Sequence, residues 1–236
     1  PGYLVNSTLH GDEESEKMNR YHIVFPFLIL LLALSFVGGC TIVPIEEVQQ
    51  IQASETFDPA AYVDGIWTEQ VVPTILEKAQ DLPPVLQAME SDLTAAGEQY
   101  ATVSQSGALN FVVRGQGTVA TVDTESRNGT ATITVDGYSG PTTVIMQIGP
   151  LVRGDSVRDG VGFISFGDFK DQTEFGQVSK ELNRRVSEQV LSGLDLATLA
   201  GKTVSFDGIF TIRTVNQTTI DLSEITITPV VLDVQD

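Results

Sequence analysis

Hydrophobic positions along this chain change period near residue 109. Before that point the spacing is helical. Asp58-Pro59-Ala60-Ala61 sets a capping carboxylate ahead of Pro at the first helical position. Ile66, Trp67, Val71, Ile75 and Ala79 then recur on one face. Trp67 at that spacing reads as core rather than as a platform for a sugar. Pro73 has no N–H to donate and is expected to kink or split the helix. Pro83-Pro84 is expected to break the chain, with short helices at 85–90 and 93–100.

From Leu109 the period is two. Strands are expected at 109–114 and 118–123, with Gly115 and Gly117 marking a bulge or bend between them. Asn128-Gly129 is a strong turn signal. Residues 130–136 alternate, with Ala131, Ile133 and Val135 on one face and threonines on the other. A third strand is expected at 142–148, then a polar connection over 149–160. Phe175, Val178, Leu182, Val186, Val190 and Leu194 form a helical stripe. Strands at 202–213 and 224–234 close the chain. In the last one the inward phase slips from Ile225 and Ile227 to Val230, Leu232 and Val234 at Pro229, which predicts a bulge or an edge position.

Three strands, one helix and two strands is the chain order of the OB fold. The expected class is α+β: an OB-like five-stranded β-barrel over 106–236 with an inserted helix at 173–194, preceded by a small helical subdomain at 58–105. A generic α+β sandwich would use the same strands.

The N-terminal pattern speaks to location. Met18-Asn19-Arg20-Tyr21-His22 is short and basic, and 23–37 is apolar apart from Pro26 and Ser35. Val37-Gly38-Gly39-Cys40 follows. Charged start, short apolar core and small residues make a secretory signal. The apolar run is shorter than the ~20 residues of a spanning helix. A Cys directly after small residues fits a lipoprotein signal over 18–39, with cleavage before Cys40 and lipid on its thiol. Residues 1–17 carry Asp12, Glu13, Glu14 and Glu16, the wrong charge for a signal start, and read as an upstream extension. Residues 40–57 read as a tether.

Composition then narrows the chemistry. The chain carries 31 acidic and 13 basic side chains, a formal charge of −18. Processing before Cys40 would remove four acids and two bases, and both histidines, His10 and His22. A chain without His, whose one Cys is lipidated, cannot run Ser-His-Asp or Cys-His catalysis or build an ordinary zinc site. The acidity argues against nucleic acid as a partner. No calcium loop or phosphate-binding glycine loop is present. No metal and no cofactor are expected.

One stretch concentrates charge. Arg153, Asp155, Arg158 and Asp159 lie within seven residues, among Gly149, Gly154 and Gly160. A guanidinium fork suits carboxylate, phosphate or sugar hydroxyls, and Asp accepts from paired hydroxyls. The competing expectation is an internal Arg-Asp cluster that fixes the loop. Asp123 and Arg127, at the turn between the first two strands, are secondary candidates, because that loop often borders the binding face of an OB fold. A solvated hairpin tip would look the same.

Several local sequences together resemble one family: Ile42-Val43-Pro44-Ile45-Glu46-Glu47 after the Cys, Val122-Asp123-Thr124-Glu125-Ser126-Arg127, Gln147-Ile148-Gly149-Pro150, Arg153-Gly154, Arg158-Asp159, and Phe163-Ile164-Ser165-Phe166 with Phe169 and Gln172. The chain resembles the predicted periplasmic lipoproteins of domain-of-unknown-function family 2291. The resemblance implies a helical part, an OB-like β part and a bacterial envelope location, and suggests a role near sugar uptake transporters. It carries over no catalytic residues. The expectation is a non-enzymatic lipoprotein held to the membrane by Cys40. It would act as a binding or accessory protein of a (sugar) transport system, facing a transporter component or a small polar ligand. A structural or assembly lipoprotein with protein partners only, and a carboxylate-based hydrolase, are the other two classes.

Overall fold

The computed structural model describes residues 57–215 and 217–235. The signal, Cys40 and the tether up to residue 56 lie outside the described residues. Helix α1 (Pro59–Ile66) begins as expected, with the Asp58 carboxylate accepting from the N–H groups of Ala60 and Ala61. A π turn (Trp67–Val71) joins it to α2 (Val72–Lys78), in whose first turn Pro73 sits. Strand β1 (Gln80–Asp81) is short. Pro83 and Pro84 do not break the chain. They occupy the first turn of α3 (Leu82–Ser91), where a missing N–H costs nothing. Asp92 caps α4 (Leu93–Tyr100).

The sheet follows: β2 (Ala101–Val103), β3 (Leu109–Asp123), β4 (Thr130–Val135), β5 (Thr143–Gln147), then α5 (Ser156–Val161), α6 (Gln172–Arg185), β6 (Thr203–Ile212) and β7 (Glu224–Gln235). The two strands expected at 109–123 are one. Gly115 and Gly117 pass through it without ending it, and the register shift lies further on, between Val119 and Thr121. The glycines serve close approach instead. A Cβ on Gly117 would stand 2.3 Å from the Thr134 carbonyl oxygen, and one on Gly115 would strike the Phe206 ring. The helical stripe expected to Leu194 runs as α6 to Arg185 and then as a π turn, Val186–Leu191.

Five strands pair in a closed circuit, β3–β4–β5–β7–β6–β3. Every pairing is antiparallel except β5–β7. β3 and β7 each serve two partners. β3 pairs with β6 along its first part and with β4 along its last. β7 pairs with β5 through Ile227 and with β6 from Thr228. The expected phase slip marks that change of partner, where the register jumps between Asp207 and Gly208 opposite Pro229. Its effect is to keep one face apolar. Odd-numbered Ile225 and Ile227 and even-numbered Leu232 and Val234 pack on the same core, while Val230 turns to the other.

Two cores result. One holds Phe111 and Phe210, stacked at 4.9 Å, with Val113, Ile133, Met146 and Phe206, closed by Leu82, Val85, Leu86 and Met89 of α3. The other lies on the opposite face of β3 and β6, where Val112 and Ile209 meet Val63, Trp67 and Ile75 from the first helices. Val157 and Val161 of α5 and Val178 and Leu182 of α6 complete it. α5 and α6 are thus fixed to the sheet by their apolar faces, and the charged loop ahead of α5 is positioned by what lies beneath it.

Candidate functional site

A cleft of about 1050 Å³ opens beside that loop. Its walls come from the β2–β3 turn, the 153–159 loop, the Ile164–Phe166 segment, the start of α6, the end of β6 with Arg213, Gln217 and residues 219–221, and the start of β7.

Of the two expectations for this stretch, one is an Arg-Asp cluster that fixes the loop; in the structure the loop is fixed, and polar side chains from several elements share in holding it. Gln147, at the end of β5, grips Arg153 at both backbone groups. Its Oε1 accepts from the Arg153 N–H at 2.8 Å, and its Nε2 donates to the Arg153 carbonyl at 3.0 Å. The same Nε2 reaches the buried Thr228 hydroxyl at 2.8 Å. Gly154 adopts φ of 100°, which side chains disfavour, and its carbonyl accepts from Asn183 Nδ2 of α6 at 2.8 Å. The Ser156 and Thr211 hydroxyls lie 2.8 Å apart, and Thr211 donates to the fully buried Asn110. Gln147, Asn183, Asn110 and Thr228 are all buried. Buried polar groups left unbonded cost ~1–3 kcal/mol each, so a satisfied network of this kind selects one loop conformation.

Arg158 anchors the far end. It is 6% exposed. Its Nε and Nη2 both donate to Asp159 Oδ1 at 2.7 Å, and Asp155 lies 3.5 Å from Nη1. Nη1 also points at the Phe175 carbonyl, 3.4 Å away, and the guanidinium covers the Phe175 ring at 3.6 Å. Burial pushes the Asp159 carboxyl above its ordinary value, against the pull of Arg158 and the more distant Arg213. Arg158 is therefore spent on holding α5 against α6. Arg153 and Arg213 are exposed, line the cleft and make no ion pair among the described residues.

The sequence-selected residues thus divide. Arg153, Asp155, Arg158 and Asp159 all reach the cleft. Asp123 and Arg127 do not line it. The Asp123 carboxylate is turned back onto the Glu125 N–H at 2.8 Å. Their turn still touches the loop through backbone: the Arg127 and Asn128 carbonyls accept from Leu151 and Gly149. The residues that hold the loop, Gln147 and Asn183, escape a charge-based reading. The available signal was an amide side chain on an apolar strand end and another beside an apolar helical stripe.

The fold and cleft can now be set beside known proteins. A solved OB-fold protein from Thermotoga maritima superposes with a TM-score of 0.59 at 20% identity, covering 77% of this chain and all of its own. No curated protein matches. A family model described as predicted periplasmic lipoprotein matches residues 29–233, which takes in the expected lipidation site, both cores and the cleft. The chain belongs to that family, the predicted periplasmic lipoproteins of domain-of-unknown-function family 2291, and its place is the extracytoplasmic side of the envelope.

Proposed function

We propose that this protein is a membrane-tethered binding module and not an enzyme. In this reading Cys40 carries the lipid, residues 40–57 reach away from the membrane, and the OB-like part offers its cleft to a small polar ligand. The closed circuit of five strand pairs supports reading that part as a barrel. One observation carries the binding role. The exposed loop on the cleft is fixed by buried amides from β5 and α6, an arrangement that costs desolvation and gains a single presented geometry. Service to a sugar transport system is the cellular context we infer; its support is the family resemblance.

The test is native mass spectrometry of the mature protein released gently from its own membranes. A bound small molecule is expected, retained by wild type and lost from Asn183→Ala at unchanged oligomeric state. A structural lipoprotein with protein partners only is the second reading, supported by Val103 and Phe166, large apolar side chains left 59% and 39% exposed on the cleft rim. It predicts an empty cleft and a co-purifying protein that survives the Asn183 substitution.

A further inference from the structure

We infer that the ligand of this cleft is a neutral, polyhydroxylated small molecule. The inference rests on the binding role proposed above and adds the chemical class.

The charges of the cleft nearly cancel. Asp155 and Asp159 are engaged by Arg158. The remaining charges of the lining, Arg153 and Arg213 against Asp221 and Glu224, are all exposed and balance in sign. A ligand of either sign would meet an opposing charge as well as a partner. The neutral groups still outnumber the charged ones: fourteen lining residues carry hydroxyl or amide side chains, against seven charged, and with Ser104, Ser106, Gln147, Ser156, Ser165 and Thr211 spent on internal hydrogen bonds eight of the fourteen are left. Hydroxyls and amides both donate and accept, whereas Arg only donates and a carboxylate only accepts. Such a lining is satisfied by a molecule whose own groups do both, which is the property of a polyol.

A second observation concerns shape. Phe166 sits on a tight turn closed by reciprocal bonds between Ser165 and Asp168. Its ring packs edge-on to Phe175 at 5.6 Å, and 39% of the residue stays exposed at the cleft. A half-exposed ring held in place beside a polar floor fits a ligand with one C–H face and a hydroxylated rim. The volume of about 1050 Å³ lies just above the ~300–1,000 Å³ usual for small-molecule sites.

The experiment is calorimetric titration of the mature protein with D-ribose, D-glucose and myo-inositol, and with gluconate and glutamine as charged and zwitterionic probes. At least one neutral probe is expected to bind saturably. Its Kd should change by less than about 2-fold between low and high salt, because screening acts on charge. Phe166→Ala should weaken it roughly 10-fold, the worth of one aromatic contact, in a protein that is still fully folded at the temperature of the titration. Arg213→Gln, which keeps a donor and loses the charge, should leave Kd within about 3-fold. Preferential binding of gluconate or glutamine with a steep salt dependence would overturn the class and leave the binding role standing. Failure of every neutral probe would also overturn it. The binding role falls separately, on an empty cleft in the native mass spectrum.

Discussion

Removing Arg158 tests the architecture of the cleft. Arg158→Ala takes away a guanidinium that is 6% exposed and bonded to Asp159 at 2.7 Å through two nitrogens. It leaves the Asp159 carboxylate, whose side chain is 13% exposed, without its cation. It also uncovers one face of the Phe175 ring. Breaking a buried pair from one side costs ~3–5 kcal/mol, most of it from the stranded charge. For a domain of this size that is a fall in Tm of roughly 6–20 °C. The stranded charge should be rescuable: Arg158→Ala with Asp159→Asn should recover about half the loss, a coupling visible in a double-mutant cycle. The pH dependence has a defined sign. The folded-state pKa of Asp159 is raised, so the folded chain holds that proton more tightly than the unfolded chain does. The contribution of Asp159 to stability therefore declines as pH rises from the ordinary carboxylate value through the raised one. Arg158→Ala should steepen that decline. Chemical denaturation across pH measures all three. A loss under about 1 kcal/mol, or no rescue by Asp159→Asn, would refute the assignment of Arg158 to the buried framework.

Other outcomes follow from the same geometry. Glu181 is held below its ordinary pKa, first by its hydrogen bonds from Arg184. Its contribution is present above the ordinary Glu value and is lost as pH falls through the lowered one, so Glu181→Gln should flatten the acid limb of a Tm–pH curve below the ordinary Glu value. Gly149→Ala places a Cβ 2.2 Å from the Asn128 carbonyl oxygen, and should cost ~1–3 kcal/mol in urea unfolding because backbone on both sides must shift. Phe111→Ala removes a fully buried ring stacked on Phe210 and should cost ~3–5 kcal/mol by the same assay. Cys40→Ser should yield an uncleaved chain without acyl mass by mass spectrometry of the native protein; an unchanged mass pattern would remove the lipid anchor from the proposal.

The alternation in 130–135 was readable because one face is buried and the other is not, so the period survives in the residue types. The slip at Pro229 was readable for the same reason, and it turned out to mark where β7 changes partner. The single strand across Gly115 and Gly117 was not readable. A glycine that ends a strand and one that lets Phe206 or Thr134 approach look alike until the neighbours are known. α5 was hidden because six residues hold less than two turns, and its two charges, Arg158 and Asp159, match its two buried valines, Val157 and Val161, in number. At the cleft, the charged residues declared themselves by clustering. Which of them are structural depended on burial: Arg158 is enclosed and Arg153 is not. That is a property of α6 and Phe175, which follow in the chain. Gln147 and Asn183 act on backbone atoms 6 and 29 residues away, and no local pattern encodes such a pairing.

The central claim is that the fixed loop at 153–159 presents a binding cleft. It is tested most directly by hydrogen exchange on the mature protein, before and after addition of the small-molecule fraction of its own periplasm. The account predicts added protection at 153–159, around Phe166 and at the β2–β3 turn, absent in Asn183→Ala. Protection confined to a second, separate pocket lined by Pro83, Arg114 and Asp207, or none anywhere, would contradict it.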